Sequence, residues 1–167
     1  VSKKSFEDYY DIVLKNISKG AFLTVASDER INTMTIGWGS LGHLWGKPIF
    51  MIMVRKSRYT YQLIEKSNEF TVTLPEDNDL KKELIYCGRN SGRDINKFEV
   101  CGLTPVKGRL VKTPIIGEGK IHFECQVVYK QEMDPVNLNL EYMNKWYPDE
   151  DYHCIYYGEV LSVYQTK

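Results

Sequence analysis

Apolar positions along the first twenty residues fall at helical spacing: Phe6, Tyr9, Tyr10, Val13 and Ile17, with Ser5 and Asp8 before them and Gly20 behind. This predicts an N-terminal amphipathic helix with a capping pair at its start and a glycine stop. The pattern then changes to strands. Residues 21–26 are short and apolar, closed by Ser27-Asp28, and residues 33–38 follow as a second strand. Residues 48–54 are continuously apolar, which fits a strand buried on both faces. Residues 58–67 return to helical spacing with Tyr61 and Ile64 inward and Ser57 placed as a cap. A strand at 69–74 stops at Pro75, a short helix fits 79–86, and 88–93 reads as a polar loop.

The clearest alternation lies at 120–129. Ile121, Phe123, Cys125, Val127 and Tyr129 face one way, and Lys120, His122, Glu124 and Gln126 the other, as in a half-buried antiparallel strand. Residues 136–146 look helical, and 153–164 form a last long strand broken at Gly158. Many strands with few, short helices predict a mainly β fold, a β-barrel or sandwich with peripheral helices. With no repeat, low-complexity tract or linker, residues 1–167 read as one domain.

Composition narrows the function classes. Lys+Arg 22 balance Asp+Glu 22, so nothing favours nucleic acid or an anionic membrane as partner. No apolar stretch approaches the roughly 20 residues that span a bilayer. The start at residues 1–5, with no initiator Met, leads straight into a charged pattern and lacks the apolar core of a signal peptide. Cys87, Cys101, Cys125 and Cys154 stand far apart without a Cys-x-x-Cys pair, and read as cytoplasmic thiols. His153 and Cys154 are neighbours on a strand and point to opposite faces, so no metal is expected.

Two segments carry candidate chemistry. Asn32, Thr33 and Thr35 offer polar groups, while Met34, Ile36 and Trp38 offer an apolar wall, as a planar hydrogen-bonding ring requires. The same pattern also suits an ordinary half-buried strand ending at a glycine-rich turn, since Gly37 and Gly39 can mark simple bulges. Arg55, Ser57, Arg58, Tyr59 and Thr60 precede a helix. Amide protons and the helix dipole at such an N-terminus favour a phosphate, with bidentate bonds from Arg55 and Arg58. The alternative is a solvated basic turn with Ser57 as a plain cap. Neither a P-loop nor a Rossmann glycine pattern is present.

The order of these segments, followed by Ser91-Gly92, Asn96-Lys97-Phe98, Glu124-Cys125, Asp151-Tyr152-His153 and Gly158-Glu159-Val160, resembles the flavin reductase-like family of FMN-binding split barrels. The resemblance spans roughly positions 18 to 164. It implies a homodimeric split barrel that binds FMN at or near the subunit interface. It also implies cofactor contacts from Asn32, Thr33, Met34, Thr35, Trp38, Arg55, Ser57, Arg58, Tyr59, Thr60, Ser91, Lys97 and Phe98. Lys97 can neutralise the phosphate or charge on the reduced ring, and Phe98 can cover a ring edge. The plainer roles are a surface charge and a core plug. His153 can touch the nicotinamide or a second substrate, or be satisfied structurally.

Two departures from the family pattern stand out: the residue inserted in Asp151-Tyr152-His153, and the long segment 133–149 with Tyr142, Trp146 and Tyr147. That segment can cover the flavin, or pack against the barrel or a second subunit. Tyr 12 and Trp 3 exceed what one small barrel comfortably buries, which also favours a homodimer. The activity expected is hydride transfer from NADH or NADPH to FMN, with electrons passed to free flavin, a small acceptor or a redox partner protein. A flavoredoxin-like electron carrier is the alternative, and a flavin-binding module without turnover a third.

Overall fold

In the computed structural model, which describes residues 5–28, 30–77 and 79–166, the N-terminal pattern forms three joined helical pieces. A 3-10 turn, Glu7–Tyr9, leads into α1 (Tyr10–Asn16) and a second 3-10 turn, Ile17–Lys19, which ends at Gly20. The Ser5 amide donates to the Asp8 carboxylate at 2.6 Å, one half of the capping pair read from the sequence. The charged start at residues 1–4 lies outside the described residues.

The strands are β1 (Ala21–Ser27), β2 (Arg30–Ile36), β3 (Gly39–Leu44), β4 (Lys47–Arg55), β5 (Glu69–Leu74), β6 (Pro105–Val106), β7 (Ile115–Ile116), β8 (Ile121–Glu132) and β9 (His153–Gln165). Seven of them pair antiparallel in the order β2-β1-β5-β8-β9-β4-β3, and β6 pairs with β7 in a small ribbon. The sheet must curl. β2 and β3 stand at opposite ends of this order, yet only Gly37 and Trp38 separate Ile36 from Gly39. Flat, seven strands would hold these ends about 29 Å apart at ~4.8 Å per strand. Three Cα–Cα steps reach only about 11 Å. The sheet therefore rolls into a barrel whose seam is this two-residue link, in agreement with the expected β-barrel with peripheral helices.

The barrel interior holds Leu23, Val25, Phe50, Ile52, Val54, Phe70, Val72, Phe123, Cys125 and Tyr156, all nearly or fully buried. The N-terminal helical segment stops one end of it: Tyr9 of the first 3-10 turn and Phe6 just before it set their rings edge-on to Phe123 at 6.1 and 6.4 Å. A second core lies outside the wall. There Phe22 of β1 meets Leu84 and Cys87 of α3 (Lys81–Arg89), Phe98 of α4 (Lys97–Cys101), Leu103 and Ile116. Helix α2 (Tyr59–Ser67) packs on β1 and β2, and α5 (Leu140–Trp146) follows a 3-10 turn, Pro135–Asn137.

The structure corrects several expectations. β4 alternates rather than burying both faces, with Met51 and Met53 only half-buried. β3 forms where no strand was expected, held by its pairing with β4. α3 continues to Arg89, into the expected polar loop, and α4 is a further short helix started by the Asn96 side chain. In β8, His122 and Glu124 are as buried as Phe123: the 109–111 backbone folds over Glu124, and Thr73, Thr166 and Tyr164 enclose His122. β9 runs unbroken through Gly158. A Cβ there would stand 2.5 Å from the Phe70 ring, so the glycine marks close packing and not a break.

Candidate functional site

Along β2 two hollows open side by side and share Met34 and Arg58. The first, about 180 Å³, is lined by Asn32, Ser57, Arg58, Tyr59, Thr60, Cys87, Lys97 and residues 88–93. Its lining contains Arg58, Arg89, Arg93 and Lys97 and not one carboxylate. In a chain with equal numbers of acids and bases, such a segregated lining selects for an anion. The α2 N-terminus opens into it through Tyr59 and Thr60, and no side chain caps that helix.

Ser57 is not the cap that the sequence predicted. Its hydroxyl donates to Asp151 Oδ2 at 2.6 Å and its amide to Asp151 Oδ1 at 3.4 Å. The walls of this hollow are fixed by polar contacts. Asn32 donates to Thr60 Oγ1 at 2.8 Å and lies against Gly92, where an added Cβ would collide with its side chain. Lys97, 3% exposed, donates to the carbonyls of Thr33 and Cys87 at 2.9 and 2.8 Å. Burial, with Arg58 nearby, holds its pKa below the usual lysine value. Arg93 donates to the Ser57 carbonyl at 3.1 Å and sits over the Tyr59 ring, and Ser91 Oγ accepts from the Arg93 amide.

The second hollow, about 190 Å³, is lined by Met34, Thr35, Ile36, Gly37, Trp38, Met53, Arg55, Arg58 and His153. Thr35 Oγ1 donates to the Leu84 carbonyl at 2.5 Å, so its proton is engaged and only its lone pairs face the hollow. Gly37 and Trp38 lie in the seam, outside the strand pairing, which frees their amides for a ligand. Trp38 meets Trp146 edge-on at 5.0 Å and His153 at 5.6 Å. Arg55 donates to the carbonyls of Trp146 and Asp151 at 2.8 and 2.7 Å, and its guanidinium lies 4.8 Å from the Tyr147 ring centre. The end of the 133–149 segment is thereby latched to the mouth of this hollow. The Tyr147 hydroxyl and His153 Nδ1 are 2.7 Å apart. Burial, then Arg55 and Arg58, lower the His153 pKa to about 4 against the pull of Asp151, so the ring is neutral at pH 7.

Most residues predicted from the sequence thus line one of these hollows: Asn32, Met34, Ser57, Arg58, Tyr59, Thr60, Ser91 and Lys97 the first, and Thr35, Trp38, Arg55 and His153 the second. Two do not. Thr33 is fully buried and turned to β1, where its hydroxyl accepts from Thr24 Oγ1 and donates to the Leu23 carbonyl. Phe98 belongs to the second core and borders a separate hollow beyond Arg93. Arg89, Arg93 and Met53 were not predicted. The signal for the arginines was the run Gly-Arg-Asn-Ser-Gly-Arg at 88–93, two cations among small residues. Among the described residues no three His, Cys, Asp and Glu side chains converge as a metal site.

Comparison with known proteins places these hollows in context. Residues 15–167 match the family model described as flavin reductase like domain. An uncharacterized protein of Archaeoglobus fulgidus is 30% identical over 142 residues, covering 85% of this chain and 70% of the relative. The chain spans between 60% and 70% of the length of the curated relatives it matches. Among solved structures, the flavoredoxin of Methanosarcina acetivorans superposes with TM-score 0.71 at 24% identity, over 89% of this chain and 68% of that one. An NADH:FAD oxidoreductase of Streptomyces globisporus gives TM-score 0.68 at 18% identity, over 99% and 88%. At these identities both structures speak for the shared split-barrel fold.

Proposed function

The chain belongs to the flavin reductase-like family, and we propose that it binds FMN along β2 and uses it as an NADH- or NADPH-dependent reductase. The observation that carries the reading is the first hollow: four cationic side chains, an uncapped helix N-terminus and no carboxylate, beside a second hollow walled by Trp38, Met34 and Met53. A phosphate suits the one and a flat ring with an apolar edge the other. Arg58, Arg89, Arg93, Lys97, Ser91 and the amides of Tyr59 and Thr60 would hold the phosphate. Thr35, the seam amides, Trp38, Met53 and Arg55 would hold the ring.

When bound, FMN supplies the redox chemistry, accepting a hydride and passing electrons to free flavin, a small acceptor or a partner protein. The chain's own task is binding, orientation and electrostatics. Neutral His153, with one ring nitrogen facing Tyr147, is placed to donate or accept a hydrogen bond at the mouth of the ring hollow. Trp146 and Tyr147, latched by Arg55, narrow the approach to it.

A flavoredoxin-like electron carrier is the second reading, favoured by the superposition on two flavoredoxins. The protein's visible spectrum tests flavin binding. Anaerobic mixing with NADH and NADPH separates the readings: rapid bleaching by either nucleotide supports the reductase, and none supports the carrier.

The proposal extends to a homodimer in the cytoplasm. Trp45, 65% exposed, clusters with Tyr129 and Tyr157 at 6.0 Å each, beside exposed Leu44 and Val128, and a second copy of the chain would cover this patch. Four free cysteines fit a reducing compartment. Light scattering at micromolar concentration tests the assembly, and a monomer with flavin bound would refute it. Among the described residues no helix is long and apolar enough to cross a membrane.

A further inference from the structure

Cys87 and Cys101, far apart in sequence, bring their sulfurs to 4.0 Å in the second core. Cys87 ends the buried face of α3 and Cys101 closes α4, which begins at Lys97. Cys87 is buried and lines the phosphate-side hollow, whereas Cys101 is partly exposed. Lys97 ties the two helices, since its ammonium group binds the Cys87 carbonyl. We propose that Cys87 and Cys101 form an oxidisable dithiol site, which a peroxide or a small disulfide converts to an intramolecular disulfide that loosens the phosphate hollow. The second half of this inference rests on the flavin reading above; the first half does not.

The chemistry begins at the accessible sulfur. Burial pushes the Cys87 thiol up to about 12, so it stays protonated and waits, while Cys101 meets the oxidant. With hydrogen peroxide, the Cys101 thiolate takes one oxygen and releases hydroxide, giving a sulfenic acid. The Cys87 sulfur then attacks it, loses its proton, and expels water. In sum, two thiols and one peroxide give one disulfide and two waters. With a small disulfide, exchange at Cys101 releases one thiol and attack by Cys87 releases the other. Reduced flavin reoxidised by dioxygen is itself a source of peroxide, so the oxidant class arises from the chemistry of the proposed site.

A disulfide requires an S–S distance of about 2.05 Å, roughly half the present gap. Closing it draws the last turn of α3 toward α4. That turn carries the Cys87 carbonyl bound by Lys97 and leads directly into Gly88, Arg89, Asn90 and Ser91, which form the hollow's wall. Cys87 lines the phosphate-side hollow and neither cysteine lines the ring hollow, so the pair acts on affinity rather than as a relay for flavin electrons.

The test uses the full chain, first reduced and then exposed to hydrogen peroxide or oxidised glutathione, with peptide mapping under non-reducing conditions. The expected result is a Cys87–Cys101 link with Cys125 and Cys154 still free. FMN affinity should fall about tenfold while riboflavin, which has no phosphate, binds as before. By reciprocity, saturating FMN raises the midpoint potential of the pair by about 30 mV. Cys101→Ser should bind FMN like the parent and ignore the oxidant.

Sulfinic acid on Cys101 with Cys87 still free to alkylate would overturn the dithiol site. A clean link that leaves FMN affinity unchanged, or weakens riboflavin equally, would overturn its action on the phosphate hollow. If the chain binds no flavin, the functional reading fails, while the mapping still decides whether the pair links.

Discussion

Two regions of this barrel gather donors for an anion, and they differ in where the anion comes from. Around Glu124, the amides of Arg109, Leu110 and Val111 and the Tyr164 hydroxyl converge on a carboxylate that the chain itself supplies, at 2.6 to 3.1 Å. Arg109 closes the assembly by lying 3.5 Å from the centre of the Tyr164 ring. Burial alone would raise the Glu124 pKa, but these donors outweigh it and keep the group ionised. In the phosphate-side hollow, arginines, a lysine and a helix N-terminus gather with no carboxylate in the lining. Closure by an internal acid builds structure; the same chemistry left open to solvent is what the proposed phosphate site would use.

The two buried histidines repeat the contrast. His122 is held on both nitrogens, at 3.1 Å from Thr73 and 3.1 Å from Thr166, in a closed pocket. His153 is held on Nδ1 alone and lines the ring hollow. Burial is the first cause of both shifts to about 4, so the shift by itself does not separate a histidine locked on both sides from one that faces a hollow. Geometry does.

The comparison can be broken by mutation. Glu124→Ala strands three amides and a hydroxyl in a buried place, and should cost about 3–5 kcal/mol of stability by urea unfolding. FMN affinity of the folded fraction should stay as it was; a loss of FMN affinity with stability intact would erase the distinction between the two regions. Arg58→Ala should do the reverse. It should weaken FMN binding by roughly 1.5–3 kcal/mol in a titration, with little change in stability.

Lower pH should sharpen the contrast next. A folded pKa of about 4 against an unfolded value near 6.5 means that the unfolded chain binds more protons between those limits. Stability contributed by each neutral histidine is therefore complete above pH 6.5 and is lost as pH falls toward 4, by about 3 kcal/mol apiece. Thermal unfolding across this range in His122→Asn and His153→Asn should show a shallower slope in each. Activity at constant folded fraction should change only for His153→Asn. The smallest effect is expected from Tyr147→Phe, which removes one hydrogen bond worth about 1 kcal/mol. Its mark should be a change in turnover with NADH rather than in FMN affinity.

Legibility in the sequence followed the range of the forces involved. Local pattern identified α1 by its helical spacing, β1 as a short apolar run closed by Ser27-Asp28, β5 as a strand stopped at Pro75, and β8 by its alternation. β3 escaped it: Gly39, Ser40 and Gly42 have little strand preference, and only pairing with β4 holds them extended. The polar face of β8 was readable as polar but not as buried, since its cover comes from other segments, the 109–111 loop at Glu124 and Thr73 and Thr166 at His122. At the site, Arg55 and Arg58 were legible as cations near small hydroxyls, and Lys97 through the family resemblance alone. That Arg55 latches residues 146 and 151, or that Ser57 spends its hydroxyl on Asp151, depends on contacts across more than ninety positions and left no local trace.

The seam at Gly37 and Trp38 has a consequence for motion. The sheet order runs from β2 round to β3 without joining them, so its two free edges meet only through this link. Opening there breaks no β2–β3 ladder pairing, only the packing of Ile17 and Phe50 near Gly39 and of Trp38 on Trp146 and His153, so local opening is expected to begin at this link. A ligand lying against Ile36, Gly37 and Trp38 with its far end among the arginines would clamp one edge strand against that motion. Amide hydrogen exchange along β2 and β3 should slow on FMN binding, while β5 and β8, paired on both sides, keep the rates they had.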